Sequence, residues 1–287
     1  MNTDHTEEFY IGWMDKAPLS FAKHIKKVLL AVLAIVIAAA VMLAVSQKKF
    51  STGNFEFGTL TEVKGFYFSQ PVPCIKVVAG KNLFGNNVYQ TIPLLGFGKM
   101  GAAAAISSIE KEKNTSLNQR EITLKGTLLY NDGKLFMQVD NNDQPLVHIG
   151  NVAGAALLPA QENLGMVQLR GEIVDPKCYF GVMKPGQGKP HKDCAIRCIL
   201  GGISPVLRVS NNAGEINYYL IVGANGEKMN QAVKDFVAEP VTINARAVKY
   251  DDWIVLYVNP ENGILRYSYL REKFGASVQD CATACIK

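Results

Sequence analysis

Histidine is scarce in this 287-residue chain. Four are present, and only His148 and His191 lie beyond its single long apolar run. A three-histidine metal site is therefore excluded past that run. No CxxC occurs, which removes zinc-finger spacing, c-type haem attachment and the thioredoxin-like redox motif. GxSxG, HExxH and a calcium loop are absent too. The stretch PGQGKP around Gly186 lacks the leading glycine and the Ser or Thr of a phosphate loop. Asp251 and Asp252 are adjacent carboxylates, and turn formation accounts for both. No catalytic residue is assigned, and enzymatic activity is left open.

Charge is low as well. Charged residues make up 19% and hydrophobic residues 48%, with a net charge of +5. Mean hydropathy is +0.06. These values exclude a mainly disordered chain and a polytopic membrane protein. No run of Lys or Arg with interleaved aromatics follows the apolar segment, so nucleic acid is not an expected partner.

One long apolar segment is present. Val28 to Ser46 holds nineteen residues without a charge. At ~1.5 Å per residue such a helix spans roughly 28 Å, about the hydrocarbon thickness of a bilayer. A cleaved leader would carry a shorter apolar core of ~7–15 residues close behind a basic stretch. The segment therefore reads as an uncleaved anchor. Lys16, Lys23, Lys26 and Lys27 precede it, and Lys48 and Lys49 follow closely. The positive-inside rule then places residues 1–27 in the cytoplasm and the remainder outside the inner membrane, in a periplasmic or equivalent space.

Beyond the anchor, two stretches resemble each other: ITLKGTLLYNDGKLFMQVD from Ile122 and VTINARAVKYDDWIVLYVN from Val241. Each reads as a strand, an Asp-containing turn and a second strand. Upstream, Gly58 onward parallels Gly171 onward, and Val88 to Leu94 parallels Tyr218 to Val222. Helices are expected over Ala102 to Lys113 and Lys228 to Ala238. The order strand, loop, strand, helix, hairpin thus occurs twice. The expected fold is mainly β (α+β): one transmembrane helix over 28–46, then two tandem small OB-like β-barrel domains over 50–150 and 166–273, with a Cys-containing tail over 274–287. Residues 141–165 read as a connector, and Phe50 to Phe57 as a linker.

The chemistry concentrates in DPKCYFGVMKPGQGKPHKDCAIRCILGGISP, from Asp175. Cys178, His191, Cys194 and Cys198 lie there. The Gly- and Pro-rich piece between Cys178 and Cys194 reads as a loop. Asp193 through Ile199 reads as a short helix closed by Gly201 and Gly202, with Asp193 as N-cap or first-turn acid. Cys194 and Cys198 then share one helical face. Cys281 and Cys285 repeat the spacing near the C-terminus. Cys74 stands in the first half, roughly where Cys178 stands in the second.

Three chemistries compete for these residues. Structural disulfides are expected outside the cytoplasm, and all six cysteines (Cys74, Cys178, Cys194, Cys198, Cys281, Cys285) are candidates. An i,i+4 pair within one helix makes a poor disulfide, so Cys178 is expected to pair with Cys194 or Cys198. The second chemistry is a metal site at Cys178, His191, Cys194 and Cys198, whose soft ligands suit copper(I) or zinc. The third is thiol redox chemistry at Cys194, at a helix N-terminus near Lys189 and Lys192.

The segment CYFGVMKPGQGKPHKDCAIRCILGGISP resembles a group of uncharacterised bacterial membrane-anchored extracytoplasmic proteins. They carry a Cys-Tyr, a Gly-rich loop, a His, then Cys-Ala-x-x-Cys and Gly-Gly. That resemblance implies a small exported OB-like β-domain and supplies no reaction. The leading functional expectation is a non-enzymatic, membrane-anchored accessory or scaffold subunit of an envelope complex, for example a respiratory one, with other membrane subunits as partners. A metal- or redox-handling module and an oligosaccharide- or peptide-binding module are the alternatives.

Overall fold

The structure is a computed structural model and describes residues 18–47, 53–140, 144–154, 157–211 and 213–267. It divides into two compact units, Met1–Lys49 and Phe50–Lys287. In the first unit α1 runs over Leu19–Gln47. Phe21–Ser46 within it is long and apolar enough to cross a membrane, and its apolar side chains are exposed along its length. The helix begins upstream of the expected span because Phe21, Ala22 and Ile25 interrupt the lysines without breaking helical geometry.

The second unit is mostly β. Its first half contains β1 (Asn54–Phe55), β2 (Thr61–Phe68), β3 (Cys74–Lys81), β4 (Asn87–Leu95), α2 (Ala102–Lys113), β5 (Arg120–Asn131), β6 (Lys134–Val139) and β7 (Leu146–Val152). The strands form one sheet in the order β1-β5-β2-β3-β4-β6, with β7 on β5 and a further β5–β6 pairing. The second half contains β8 (Gln161–Val174), α3 (Lys192–Leu200), β9 (Val206–Ser210), β10 (Ile216–Gly223), α4 (Asn230–Val233), β11 (Pro240–Tyr250), β12 (Trp253–Val258) and β13 (Ile264–Arg266). Here β12-β10-β9-β8-β11 returns on itself through β11–β12, which closes a five-stranded barrel. The β10–β12 contact is parallel, from Tyr219↔Ile254 to Gly223↔Val258. The corresponding β4–β6 contact of the first half is also parallel, at Leu94↔Met137 and Leu95↔Gln138.

Several expectations hold in detail. The hairpin Asn131-Asp132-Gly133 turns with positive φ at Asp132 (45°) and Gly133 (74°), the geometry that matches strand twist. Helix α2 occupies Ala102–Lys113 as expected. Others are corrected. The connector 141–165 contains β7, which pairs with β5 at Thr123↔His148, and the start of β8. The linker contains β1, paired at Phe55↔Leu129. The expected helix from Lys228 shrinks to α4 and a 3₁₀ turn over Lys234–Phe236. Residues 274–287, with Cys281 and Cys285, lie outside the described residues.

Some strands bury both faces, as their nearly unbroken apolar runs imply. In β12, Leu256 and Val258 enter the core of the five-stranded barrel, while Trp253 and Val255 face the other way. In β6, Met137 and Val139 enter the core of the first half, while Phe136 faces outward. The outward residues meet. Phe136, Leu129 and Leu95 pack with Phe180, Tyr218, Trp253 and Val255 in a shared core between the halves. Phe136 stacks edge-on to Phe180 at 4.7 Å and to Trp253 at 5.3 Å between ring centroids.

Polar contacts lock the same interface. Trp253 Nε1 donates to Thr91 O at 2.9 Å, and Thr91 N–H donates to Asp252 Oδ1 at 2.8 Å. Lys76 Nζ lies 3.0 Å from Asp251 Oδ1, with side chains 4% and 11% exposed. The turn acids Asp251 and Asp252 therefore also join the two halves.

Candidate metal centre

The site grows out of the connection between β8 and β9. Asp175 opens it: its main-chain carbonyl accepts Tyr179 N–H at 3.0 Å, and its Oδ1 accepts Lys177 N–H at 2.9 Å. A side-chain oxygen satisfying a first-turn N–H is the ordinary way to start a helical turn. The turn that follows, Cys178–Val182, is a π-turn closed by Met183 N–H on Cys178 O at 3.1 Å. This corrects the expectation of an open loop at Cys178. The chain then returns through a 3₁₀ turn over Lys189–His191 into α3. Asp193 sits in the first turn of α3 and makes no cap; His191 holds the N-cap position.

Three sulfurs converge there. The Sγ atoms of Cys178, Cys194 and Cys198 all lie within 4.8 Å of one another, and Cys178 and Cys194 are 4.0 Å apart. The four described cysteines are free thiols. The expected Cys178 disulfide is thus not formed, since a bond needs about 2.05 Å. Three thiolates at ~2.3 Å from one ion lie roughly 3.8–4.0 Å apart; the Cys178–Cys194 distance matches this, and the other two pairs lie within 4.8 Å. Cys178 and Cys198 are buried and Cys194 is half-buried. Cys74 is also free and buried but sits within β3, not in a loop before it, so it does not correspond to Cys178.

His191 joins a different group. Its ring nitrogen, an Asp175 carboxylate oxygen and Cys178 Sγ lie within 4.8 Å of one another. The four predicted ligands thus divide into two sets that share Cys178. All three members of this second set are buried, Asp175 completely. Asp175 Oδ2 and His191 Nε2 are buried without a hydrogen-bond partner.

Two lysines bring positive charge to the thiols. Lys99 Nζ lies 3.3 Å from Cys194 Sγ, and that hydrogen bond holds its ammonium above the ordinary lysine range. Lys177 Nζ donates to Gly96 O at 2.9 Å and to Gly98 O at 2.6 Å. Burial pulls the Lys177 ammonium down, against the pull of Asp175, Cys198 and Cys178. The hydrogen bond with Cys198, burial and Asp175 all push the Cys178 thiol up. Burial lowers His191, opposed by Asp175 and aided by Lys99, which keeps the ring neutral and its lone pair available.

Lys99 comes from the loop between β4 and α2, so the first half completes a site built by the second. Small residues permit this approach. A Cβ on Gly201 would lie 1.9 Å from Lys99 O, and one on Gly101 would lie 2.0 Å from Gly202 O. Gly101 N–H donates to Gly201 O at 3.0 Å. No protein-family model and no curated protein matches the chain.

Asp175, Lys177 and Lys99 were missed by spacing alone. Asp175 stands three residues before Cys178 and carried a signal. Lys99 lies in the GxGxxG turn Gly96–Gly101 between β4 and α2, a signal the motif reading overlooked, and only tertiary packing brings it to Cys194.

Proposed function

We propose that this protein is a membrane-anchored, extracytoplasmic metal-binding module, whose three thiols take a thiophilic ion. The anchor is α1, with its N-terminal side in the cytoplasm. The two halves are copies of one small OB-like barrel, which the parallel order of their strand pairings supports. The observation that carries the reading is the convergence of Cys178, Cys194 and Cys198 without a bond among them. Three soft donors in a largely buried setting favour copper(I), with zinc as the second choice.

Each residue then has a role. Cys178 and Cys198 hold the ion from inside, and half-buried Cys194 is the ligand nearest solvent. Lys99 and Lys177 offset the negative charge of a metal–tris-thiolate unit, which an apolar interior would otherwise disfavour. The shared core fixes the turn carrying Cys178 through Tyr179 and Phe180. The same anchor would let the module serve as a subunit of a larger envelope assembly.

Titration of the reduced full-length protein in detergent with Cu⁺ tests the reading. One Cu⁺ per chain is expected, and Cys198→Ala lowers the affinity by about 100-fold or more, as loss of a direct ligand should exceed loss of an outer one. Native protein that holds no metal, with its six cysteines in three disulfides, contradicts it.

A further inference from the structure

Cys178 belongs to both ligand sets, and the second set has a property the first lacks. Asp175 is 0% exposed and His191 3% exposed, yet Asp175 Oδ2 and His191 Nε2 have no partner. Buried polar atoms are nearly always satisfied, and leaving one unmade costs more than the bond contributes. One Asp175 carboxylate oxygen, one His191 ring nitrogen and Cys178 Sγ lie within 4.8 Å of one another, so both side chains that carry an orphaned atom border the same sulfur. If the orphaned atoms were bonded to each other, neither would lack a partner. A cation bound by these side chains would give the orphaned atoms a partner.

We infer that Asp175, Cys178 and His191 form a second metal position, suited to a borderline divalent cation such as zinc. The inference rests on the metal-site reading of the Cys178 cluster. Its donor set is one oxygen, one sulfur and one nitrogen, each common in zinc coordination, whereas the three-thiolate position suits a softer monovalent ion. Charge agrees. A divalent ion balances the Asp175 carboxylate and the Cys178 thiolate around a neutral imidazole. Three protein ligands leave a fourth place for water or a small anion, the usual arrangement of an open zinc site. The protein would thus sort two ions of different softness on either side of one sulfur.

The position is tested by removing the other one. Among the described cysteines, the full-length variant Cys194→Ala/Cys198→Ala retains only Cys178 near the site, and Co²⁺ serves as the probe. One equivalent of Co²⁺ is expected, with the visible absorption of a four-coordinate ion and a single thiolate charge-transfer band, both erased by Zn²⁺. Adding Asp175→Asn or His191→Ala should weaken Co²⁺ binding at least about tenfold. A folded double variant that binds no Co²⁺, or binds it equally with Asp175 and His191 replaced, overturns the inference. If the double variant does not fold, the cysteines stay and Asp175→Asn/His191→Ala is compared with wild type. Retained Cu⁺ binding with weakened Zn²⁺ binding is then expected, and unchanged Zn²⁺ affinity overturns the second position. Failure of wild type to bind either ion overturns the proposed function as well, so the two failures are distinct.

Discussion

The first half joins β2 to β3 through residues 69–73, whereas the second joins β8 to β9 through residues 175–205. The strands on either side pair in the same order in both halves. Only the second connection carries the π-turn, α3 and the convergent cysteines. The candidate site therefore sits in the longer connection, and the strands around it frame it. The first half contributes in another way: its β4–α2 loop brings Lys99 to Cys194, and its β6 brings Phe136 to Phe180 and Trp253. The long connection thus belongs to the second half, and the first half packs against it.

If that division is correct, breaking the support should disturb the site. Phe136→Ala removes the ring that links the halves, and a loss of about 3–5 kcal/mol is expected, as for other buried aromatics. Denaturant unfolding of the full-length protein measures it. The reactivity of Cys178 toward an alkylating reagent should rise as well, because Phe180 loses its neighbour. Unchanged reactivity would separate the site from the first half.

Lys76→Met tests the interface by charge. It leaves Asp251 without its cation among mostly buried groups, and a loss of roughly 3 kcal/mol is expected. Thermal unfolding of the variant measures it, and Lys76→Met/Asp251→Asn should recover much of the loss.

The smallest effect distinguishes the buried thiols. Burial, with Asp251 and Asp252, pushes the Cys74 thiol from 9.0 up to about 12, against the pull of Lys76. The folded protein thus keeps this proton where the unfolded chain releases it. Stability linked to Cys74 is intact below about pH 9 and is lost as pH rises toward 12. Cys74→Ala should flatten that alkaline decline without abolishing it, since Tyr67, Tyr218 and Tyr257 are also raised. Equilibrium unfolding at several alkaline pH values measures the slope. Metal binding should be unaffected, because Cys74 belongs to neither ligand set.

Much of the frame was readable in the sequence for local reasons. Period-two burial and turn residues mark β5–β6 and β11–β12, and the Ala-rich run marks α2. Helix α3 was visible from its cysteine spacing and closing glycines. β7 was legible in part: QPLVHIG alternates like a strand around His148, while Gly150 and Gly154 made the longer stretch read as connector. The site was half legible. The cysteines and His191 advertise metal or disulfide chemistry, yet spacing did not separate His191 from Cys194 and Cys198. That separation follows from the π-turn at Cys178, which the Gly- and Pro-rich context concealed. Lys99 sits in a Gly-rich turn that the sequence displays, but its contact with Cys194 is tertiary.

The central claim is that the thiols of the longer connection hold metal. Intact mass of the natively purified full-length protein, taken under non-denaturing conditions and again after denaturation and alkylation, reads metal and free thiols together. The account predicts bound metal, with Cys178, Cys194 and Cys198 alkylated once the metal is removed. Metal-free protein in which those three cysteines resist alkylation until reduced would contradict it.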